Sequence, residues 1–320
     1  MVRLLANRGI TEILKSVAEE TRVRIIHILS IATFSVNELT EILEMGQSRV
    51  SRHLKILTDA GILTFQREGS WVYYRLAEVD GAPAEMTRLL LSWKEDLPAR
   101  EHDQRKAAEI LASREEKSNI YFNQVGQDWE NLQQEVLNPD NYRDRIMKSL
   151  PDNMDLVLDA GCGQGLLIPY LLSKAKNVVG LDLSSKMIEL ARASFGNNPD
   201  VSFHQASLEQ IPLADGSVDG VVVSMVLHHA SNPPFALNEL NRVLRDDGTI
   251  CLVDLKKHNQ EYMREKFADF WLGFDREMLA EWLSHSGFDL VESEEIKTKS
   301  LFNILMIKAV KRRTYVRNKN

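Results

Sequence analysis

The densest chemistry in this sequence lies in seven residues, Asp159-Ala160-Gly161-Cys162-Gly163-Gln164-Gly165, between the apolar run Leu156-Val157-Leu158 and an amphipathic stretch from Leu166 to Leu172. Glycines at a strand-to-helix turn let a ligand approach the backbone closely and sit at the helix N-terminus. A lone Gly-x-Gly is weak evidence. The next apolar run, Val178-Val179-Gly180-Leu181, ends in Asp182, twenty-one residues after Gly161. A carboxylate there can accept hydrogen bonds from both hydroxyls of a ribose. A dinucleotide loop requires a third glycine at 166, where this chain has Leu166. The acid at Asp159 would repel a pyrophosphate, but it suits a ligand that carries an amino group and a sulfonium.

A second cluster is built for a different ligand. Ser35 fits a helix N-cap with Glu38 as its capping-box partner, and the helix through Leu39, Ile42 and Leu43 stops at Glu44-Met45-Gly46. A further helix, Gln47 to Leu57, buries Val50, Leu54 and Leu57 and turns Gln47, Ser48, Arg49, Ser51, Arg52 and Lys55 outward. Two strand patterns follow, Ile62 to Arg67 and Trp71 to Leu76, around a turn at Glu68-Gly69-Ser70. Helix, turn, helix and wing in that order suit insertion into a major groove. From Gly46 to Leu76 the chain has five basic residues (Arg49, Arg52, Lys55, Arg67, Arg75) against Asp59 and Glu68, a local balance of +3.

The elements that position these clusters divide the chain. Its 320 residues suggest about two domains. Residues 1–80 carry the helical corner and wing. Residues 81–120 read as a helical linker and dimerisation region that Pro98 divides in two, and residues 121–310 alternate β-branched runs (155–160, 177–183, 220–226, 249–255) with amphipathic stretches. The last ten residues, 311–320, form a basic tail: a solvated end or an extra phosphate contact. The fold class expected is multidomain, an all-α/winged-helix N-terminal DNA-binding domain plus an α/β Rossmann-like domain.

Composition narrows the function classes. A hydrophobic fraction of 44% and a charged fraction of 27% are those of a folded chain, not a disordered or low-complexity one. No run approaches the ~20 apolar residues of a membrane span, and Met1 to Lys15 lacks the apolar core of a signal peptide. Two cysteines far apart, Cys162 and Cys251, exclude a disulfide framework, so the cytoplasm is the expected compartment. The net charge of -7 hides an uneven distribution: residues 151–257 hold thirteen acids and eight bases.

Within residues 10–77, VAEETRVRIIHIL, SVNELTEIL, QSRVSRHLKILTDAGIL and REGSWVYYRL resemble consecutive pieces of the ArsR/SmtB family of winged-helix repressors. The resemblance implies a homodimer on an inverted-repeat double-stranded DNA operator, released when an effector binds, with DNA contacts from Gln47, Ser48, Arg49, Ser51, Arg52, His53, Lys55 and Arg67. The family's arsenic and cadmium sensors have Cys-Val-Cys where this chain has Ser35-Val36-Asn37, and His102-Asp103 lacks a second ligand pair and reads as a solvated face. No metal site is expected.

From about Tyr121 to Val291, VLDAGCGQG, VVGLDLSSKMIELAR, ASLEQIPLADGSVDGVVVSMVLHH and LNELNRVLRDDGTICLVDL resemble the class I S-adenosylmethionine-dependent methyltransferases. The resemblance implies that S-adenosyl-L-methionine, or S-adenosyl-L-homocysteine, meets Tyr121, Asp159, Gly161, Gly163, Gly165, Asp182, Leu183, Met187, Ser207, Leu208 and Ser224, with Trp129 in a lid. The family usually has an acid, not a serine, at Ser207. His228 and His229 stand where substrate would lie. One could be a general base, or both could shape the pocket, since methyl transfer from a sulfonium mainly needs in-line positioning. Three functions compete: a repressor that senses the cofactor, a working small-molecule methyltransferase that autoregulates, and an enzyme whose winged helix only dimerises.

Overall fold

The protein is described from a computed structural model, which covers residues 9–69, 71–77, 80–93, 97, 99–129, 132 and 140–313. Ser70, Pro98 and residues 314–320 of the basic tail lie outside this set. The chain divides into two compact units, Met1–Ser113 and Arg114–Asn320.

In the first unit, helices α1 (Ile10–Val17) and α2 (Glu20–Leu29) precede a short strand β1 (Phe34–Ser35) and the helix α3 (Val36–Leu43). The capping box at the start of α3 is complete: Ser35 N donates to a Glu38 carboxylate oxygen at 2.7 Å, and Glu38 N donates to Ser35 Oγ at 3.3 Å. Glu44 ends the helix in the left-handed region, φ 51°. Helix α4 (Gln47–Asp59) buries Val50, Leu54 and Leu57, and the wing strands β2 (Leu63–Glu68) and β3 (Trp71–Leu76) pair antiparallel with β1 on the far side of β3. Helix α5 (Ala82–Ser92) and the first half of α6 (Arg100–Val125) close this core with Leu90 and Ala107.

Here the structure corrects one reading. Asp103 is not on a solvated face: it is 3% exposed and accepts from Arg24 Nε at 2.9 Å and Nη2 at 2.7 Å, a bidentate pair on α2. The arginine lay inside an apolar periodicity, so its partner 79 positions away was invisible to local reading.

The second unit is a seven-stranded sheet in the order β6-β5-β4-β7-β8-β10-β9. Strands β4 (Met154–Ala160), β5 (Ala175–Asp182), β6 (Val201–Gln205), β7 (Val218–Ser224) and β8 (Leu244–Leu255) run parallel. Strand β10 (Ile304–Lys311) inserts antiparallel between β8 and β9 (Phe288–Ile296). Strand order reverses between β4 and β7, which opens a crevice at the carboxyl ends of the strands. Trp271, Phe274 and Trp282 are buried in edge-on and tilted ring contacts. They cover the sheet and do not line the crevice.

Candidate functional site

The crevice holds a cavity of about 1120 Å³, its open mouth included, lined at its floor by the turn after β4. That turn folds back because Gly161, Gly163 and Gly165 take φ of 77°, 53° and 82°, a region that strains any side chain. Gly161 and Gly163 line the cavity. An added Cβ on Gly163 would meet nothing within 4 Å, while one on Gly161 would sit 2.4 Å from Val226. Gly165 is set back against the Phe195 ring, 3.2 Å from where its Cβ would be, so it serves packing.

Two carboxylates face this turn. Asp182, at the end of β5, accepts from Gly163 N and Ser184 N, both at 2.9 Å. Asp159 is 1% exposed, and its Oδ2 has no hydrogen-bond partner among the described residues. Burial first, and the Asp182 charge second, push Asp159 up to about 7. A buried carboxylate oxygen without a partner, beside backbone with open space, fits a ligand that brings an ammonium group. The donor set therefore fits the amino-acid end of S-adenosylmethionine, and Asp182 fits its ribose. Leu183 and Met187 line the same wall, the latter at the start of the helix Ser185–Phe195, which Ser184 caps through Met187 N at 3.1 Å.

At the far end Ser207 and Leu208 line the cavity. The Ser207 hydroxyl donates to a Glu115 carboxylate oxygen at 2.6 Å, and Glu115 itself lines the cavity. The acid absent from position 207 is thus supplied by α6. Residues 115, 118, 119 and 122 form one face of that helix, and all four line the cavity with Trp129, Tyr142 and Arg143. Glu115, Ser118 and Asn119 carry no chemical motif, and only their three- and four-residue spacing could have pointed to a shared face. Tyr121 does not line the cavity. Its ring turns away, packs against Phe122 and Trp129, and buries a hydroxyl that has no partner among the described residues.

Ser224, at the end of β7, lines the cavity as expected for that strand end. The histidines divide. His229 lines the cavity wall, whereas His228 stands behind it with Nδ1 2.6 Å from Asp254 Oδ1. Burial opposes a charge on His228, but Asp254 and then Asp269 overcome it and hold the ring up to about 9. Burial, reinforced by the neighbouring His228 charge, drives His229 well below its ordinary value. Only His229 therefore reaches the space a substrate could occupy.

In the first unit Gln47, Ser48, Arg49, Ser51, Arg52 and Lys55 are exposed on one face of α4, and Arg67 is exposed on β2. His53 differs. Its side chain is 14% exposed and turns to Glu19, with Nδ1 3.4 Å from Oε2. Of the basic C-terminal residues, Arg312 pairs with Asp289 at 2.8 Å, Arg313 pairs with Asp247 at 2.6 Å, and Lys311 donates to the carbonyls of Asn241 and Leu244.

Comparison with known proteins agrees with this division. The profile of the bacterial regulatory protein, arsR family, matches residues 19–64, and a methyltransferase domain profile matches residues 158–252. The chain is similar to an uncharacterized 37.1 kDa protein of a Streptomyces fradiae transposon, 38% identical over 98 residues, 30% of this chain and 28% of that one. It is 34% identical to the malonyl-[acyl-carrier protein] O-methyltransferase of Pectobacterium atrosepticum over 113 residues, 35% of this chain and 44% of that enzyme. It is 24% identical to the demethylmenaquinone methyltransferase of Staphylococcus aureus over 169 residues, 49% of this chain and 70% of that one. The first two matches thus span less than half of those relatives. A chain from the Haloferax volcanii complex of the Trm112 methyltransferase activator with a methyltransferase shares the fold, at a TM-score of 0.52 and 20% identity, over 60% of this chain and 98% of that one. The polypeptide therefore joins an arsR-family helix-turn-helix domain to a class I methyltransferase domain of the kind whose cofactor is S-adenosylmethionine.

Proposed function

We propose that this protein is a transcriptional regulator, a repressor, whose winged helix reads a double-stranded operator as a homodimer and whose methyltransferase domain binds S-adenosylmethionine and reports its occupancy. One observation carries this reading: the chain keeps an exposed basic recognition face in its first unit and, in the cavity of its second, a buried carboxylate with one oxygen unpartnered among the described residues. Both sit in one chain, and α6 contributes residues to each unit: Asp103 and Ala107 to the first core, Glu115 to Phe122 to the cavity wall.

The chain's own groups supply the recognition. Asp159 takes the ammonium group, Asp182 accepts from the ribose hydroxyls, and Glu115 with Ser207 accepts from the adenine amino group. When bound, S-adenosylmethionine supplies an electrophilic methyl group on a sulfonium. Arg49, Arg52, Lys55 and Arg67 neutralise phosphates, and Gln47, Ser48 and Ser51 reach base edges. Helices α1 and α5 touch and leave Ile10, Leu14, Leu89 and Trp93 exposed, an apolar face suited to a second copy. No helix of the described residues is long and apolar enough to cross a membrane, in keeping with a cytoplasmic site of action.

Operator affinity measured without ligand, with S-adenosylmethionine and with S-adenosylhomocysteine tests the reading. A 5- to 150-fold change between states is expected, about 1–3 kcal/mol of coupling. Equal affinity in all three states overturns it.

A second reading is an active small-molecule methyltransferase that autoregulates. His229 at the cavity wall, backed by the His228–Asp254 pair, favours it by offering a polar group to a substrate in the cavity. Transfer of label from the cofactor to a small molecule in cell extract would support this reading.

A further inference from the structure

Behind the cavity wall, three chain segments bring together side chains far apart in sequence. The turn Leu227–His229 after β7 carries His228 and His229, β8 carries Asp254, and the loop after the helix Tyr262–Lys266 carries Asp269. The loop is clamped to the turn: Phe270 N and Trp271 N both donate to the His228 carbonyl, at 3.0 and 2.9 Å. Ala268, just before Asp269, holds φ at 56°, a strained value for a residue with a side chain. Strain of this kind persists where the surrounding structure imposes it.

The hydrogen bonds within this cluster are unevenly shared. Asp254 accepts from Leu227 N, His228 N, Leu255 N and His228 Nδ1. Asp269 is 3% exposed, yet neither of its oxygens has a hydrogen-bond partner among the described residues. Its Oδ1 lies 3.8 Å from His228 Nε2 and 3.9 Å from His229 Nδ1. His229 gives its Nδ1 to the Ala268 carbonyl at 3.2 Å, and its buried Nε2 has no partner among the described residues. His228 thus has Nδ1 engaged by Asp254 and, among the described residues, no hydrogen bond at Nε2, which faces Asp269, while His229 turns Nδ1 to both the Ala268 carbonyl and Asp269. An outer carboxylate that orients an imidazole and leaves its second nitrogen bare is the arrangement found behind metal-bound histidines.

We propose that His228, His229 and Asp269 form a binding site for one divalent first-row transition ion, with Asp254 orienting the His228 ring. One ligand atom from each of the three residues lies within 4.8 Å of the others. A tetrahedral ion about 2.1 Å from its ligands holds them roughly 3.4 Å apart, so the set closes by up to about 1.4 Å on binding. Two imidazoles and one carboxylate select zinc, iron(II) or cobalt(II) over calcium or magnesium, which demand more oxygens, and over soft ions, which demand thiolates. Three protein ligands leave a coordination position open, and because His229 also lines the cofactor cavity the ion sits at that wall. The site holds whether the chain acts as sensor or enzyme.

The test uses the full chain, stripped with chelator and titrated with cobalt(II) and zinc. The expected result is saturation at one ion per chain, with the visible ligand-field absorption of a four- or five-coordinate cobalt centre, displaced by zinc. Asp269→Asn should weaken ion binding at least 10-fold while keeping affinity for S-adenosylhomocysteine, and His229→Gln should weaken ion binding at least 10-fold. Equal ion binding by the native chain and both variants overturns the proposal, as does failure of the native chain to saturate. Should the variants not fold, the native protein alone decides: zinc should raise its Tm by about 3 °C or more at a 100-fold excess over Kd, and no rise refutes the site.

Discussion

The Ser207 hydroxyl donates to the Glu115 carboxylate across 2.6 Å, joining the loop after β6 to the middle of α6. Class I methyltransferase sequences usually carry an acid at position 207. Here a serine holds the place, and an acid 92 residues earlier in the chain reaches the same wall of the cavity. A carboxylate accepts from an amino group more strongly than a hydroxyl does. Glu115→Gln should therefore weaken S-adenosylhomocysteine binding by about 10-fold, roughly 1.4 kcal/mol. Titration calorimetry reads the loss, and Ser207→Asp in the Glu115→Gln background should recover most of it. An unchanged affinity in Glu115→Gln would remove this acid from the site.

The glycines of the turn separate folding from binding. At Gly161 a methyl group would sit 2.4 Å from Val226, and φ is 77°. Gly161→Ala should destabilise the domain by about 2–4 kcal/mol, read as a fall in Tm. At Gly163 the same change meets open space within 4 Å and only the strain of φ 53°. Gly163→Ala should cost about 1–2 kcal/mol of stability while lowering cofactor affinity more than 10-fold, because its methyl group points into the cavity. The reverse ranking of the two Tm values would contradict the geometry.

Asp159 makes stability and binding depend on pH in opposite senses. Its folded value, raised to about 7, lies above its unfolded value near 3.8, so between these the folded state holds a proton that the unfolded chain has lost. Stability therefore falls as pH rises from about 4 to about 7 and then levels, with an amplitude of a few kcal/mol. Asp159→Asn should flatten that slope in urea titrations. A bound ammonium favours the ionised form, so cofactor affinity should rise across the same interval, with a proton released on binding below pH 7. Calorimetry in two buffers of different ionisation enthalpy measures that release.

On α4 the exposed cations and the half-buried histidine should differ. Arg49→Ala and Arg52→Ala should each reduce the slope of log affinity against log salt by about 1 and weaken operator binding. Among the described residues Lys55 is held only by an exposed ion pair with Asp59 at 2.9 Å, which competes little with a phosphate. His53→Ala should leave the salt slope unchanged, because its ring turns to Glu19. A loss at His53 equal to that at Arg52 would put the ring on the DNA.

Within the first unit, Asp103→Asn leaves Arg24 facing a neutral amide with both side chains largely buried, 16% and 4% exposed. The loss should be about 3 kcal/mol, visible as earlier unfolding of this unit in denaturant.

Some of this was readable without coordinates because the physics is local. A capping box spans four residues, an amphipathic helix repeats every three or four, and a glycine turn with an acid at the end of the next strand has a fixed spacing. Those patterns alone determined the helix-turn-helix with its basic face, the alternation of strands and helices behind it, and most of the cavity wall from Asp159 to Leu208. The antiparallel insertion of β10 between β8 and β9, the reach of Glu115 to Ser207, the Arg24–Asp103 pair and the gathering of His228, His229 and Asp269 left no such trace. Each joins residues tens of positions apart, and no periodicity records a contact that exists only once the sheet has brought its strand ends together. Burial decided the rest: the same histidine pair, adjacent in sequence, has one ring on the cavity and one behind it, and the same helix α4 shows Gln47, Ser48, Arg49, Ser51, Arg52 and Lys55 to solvent and turns His53 inward.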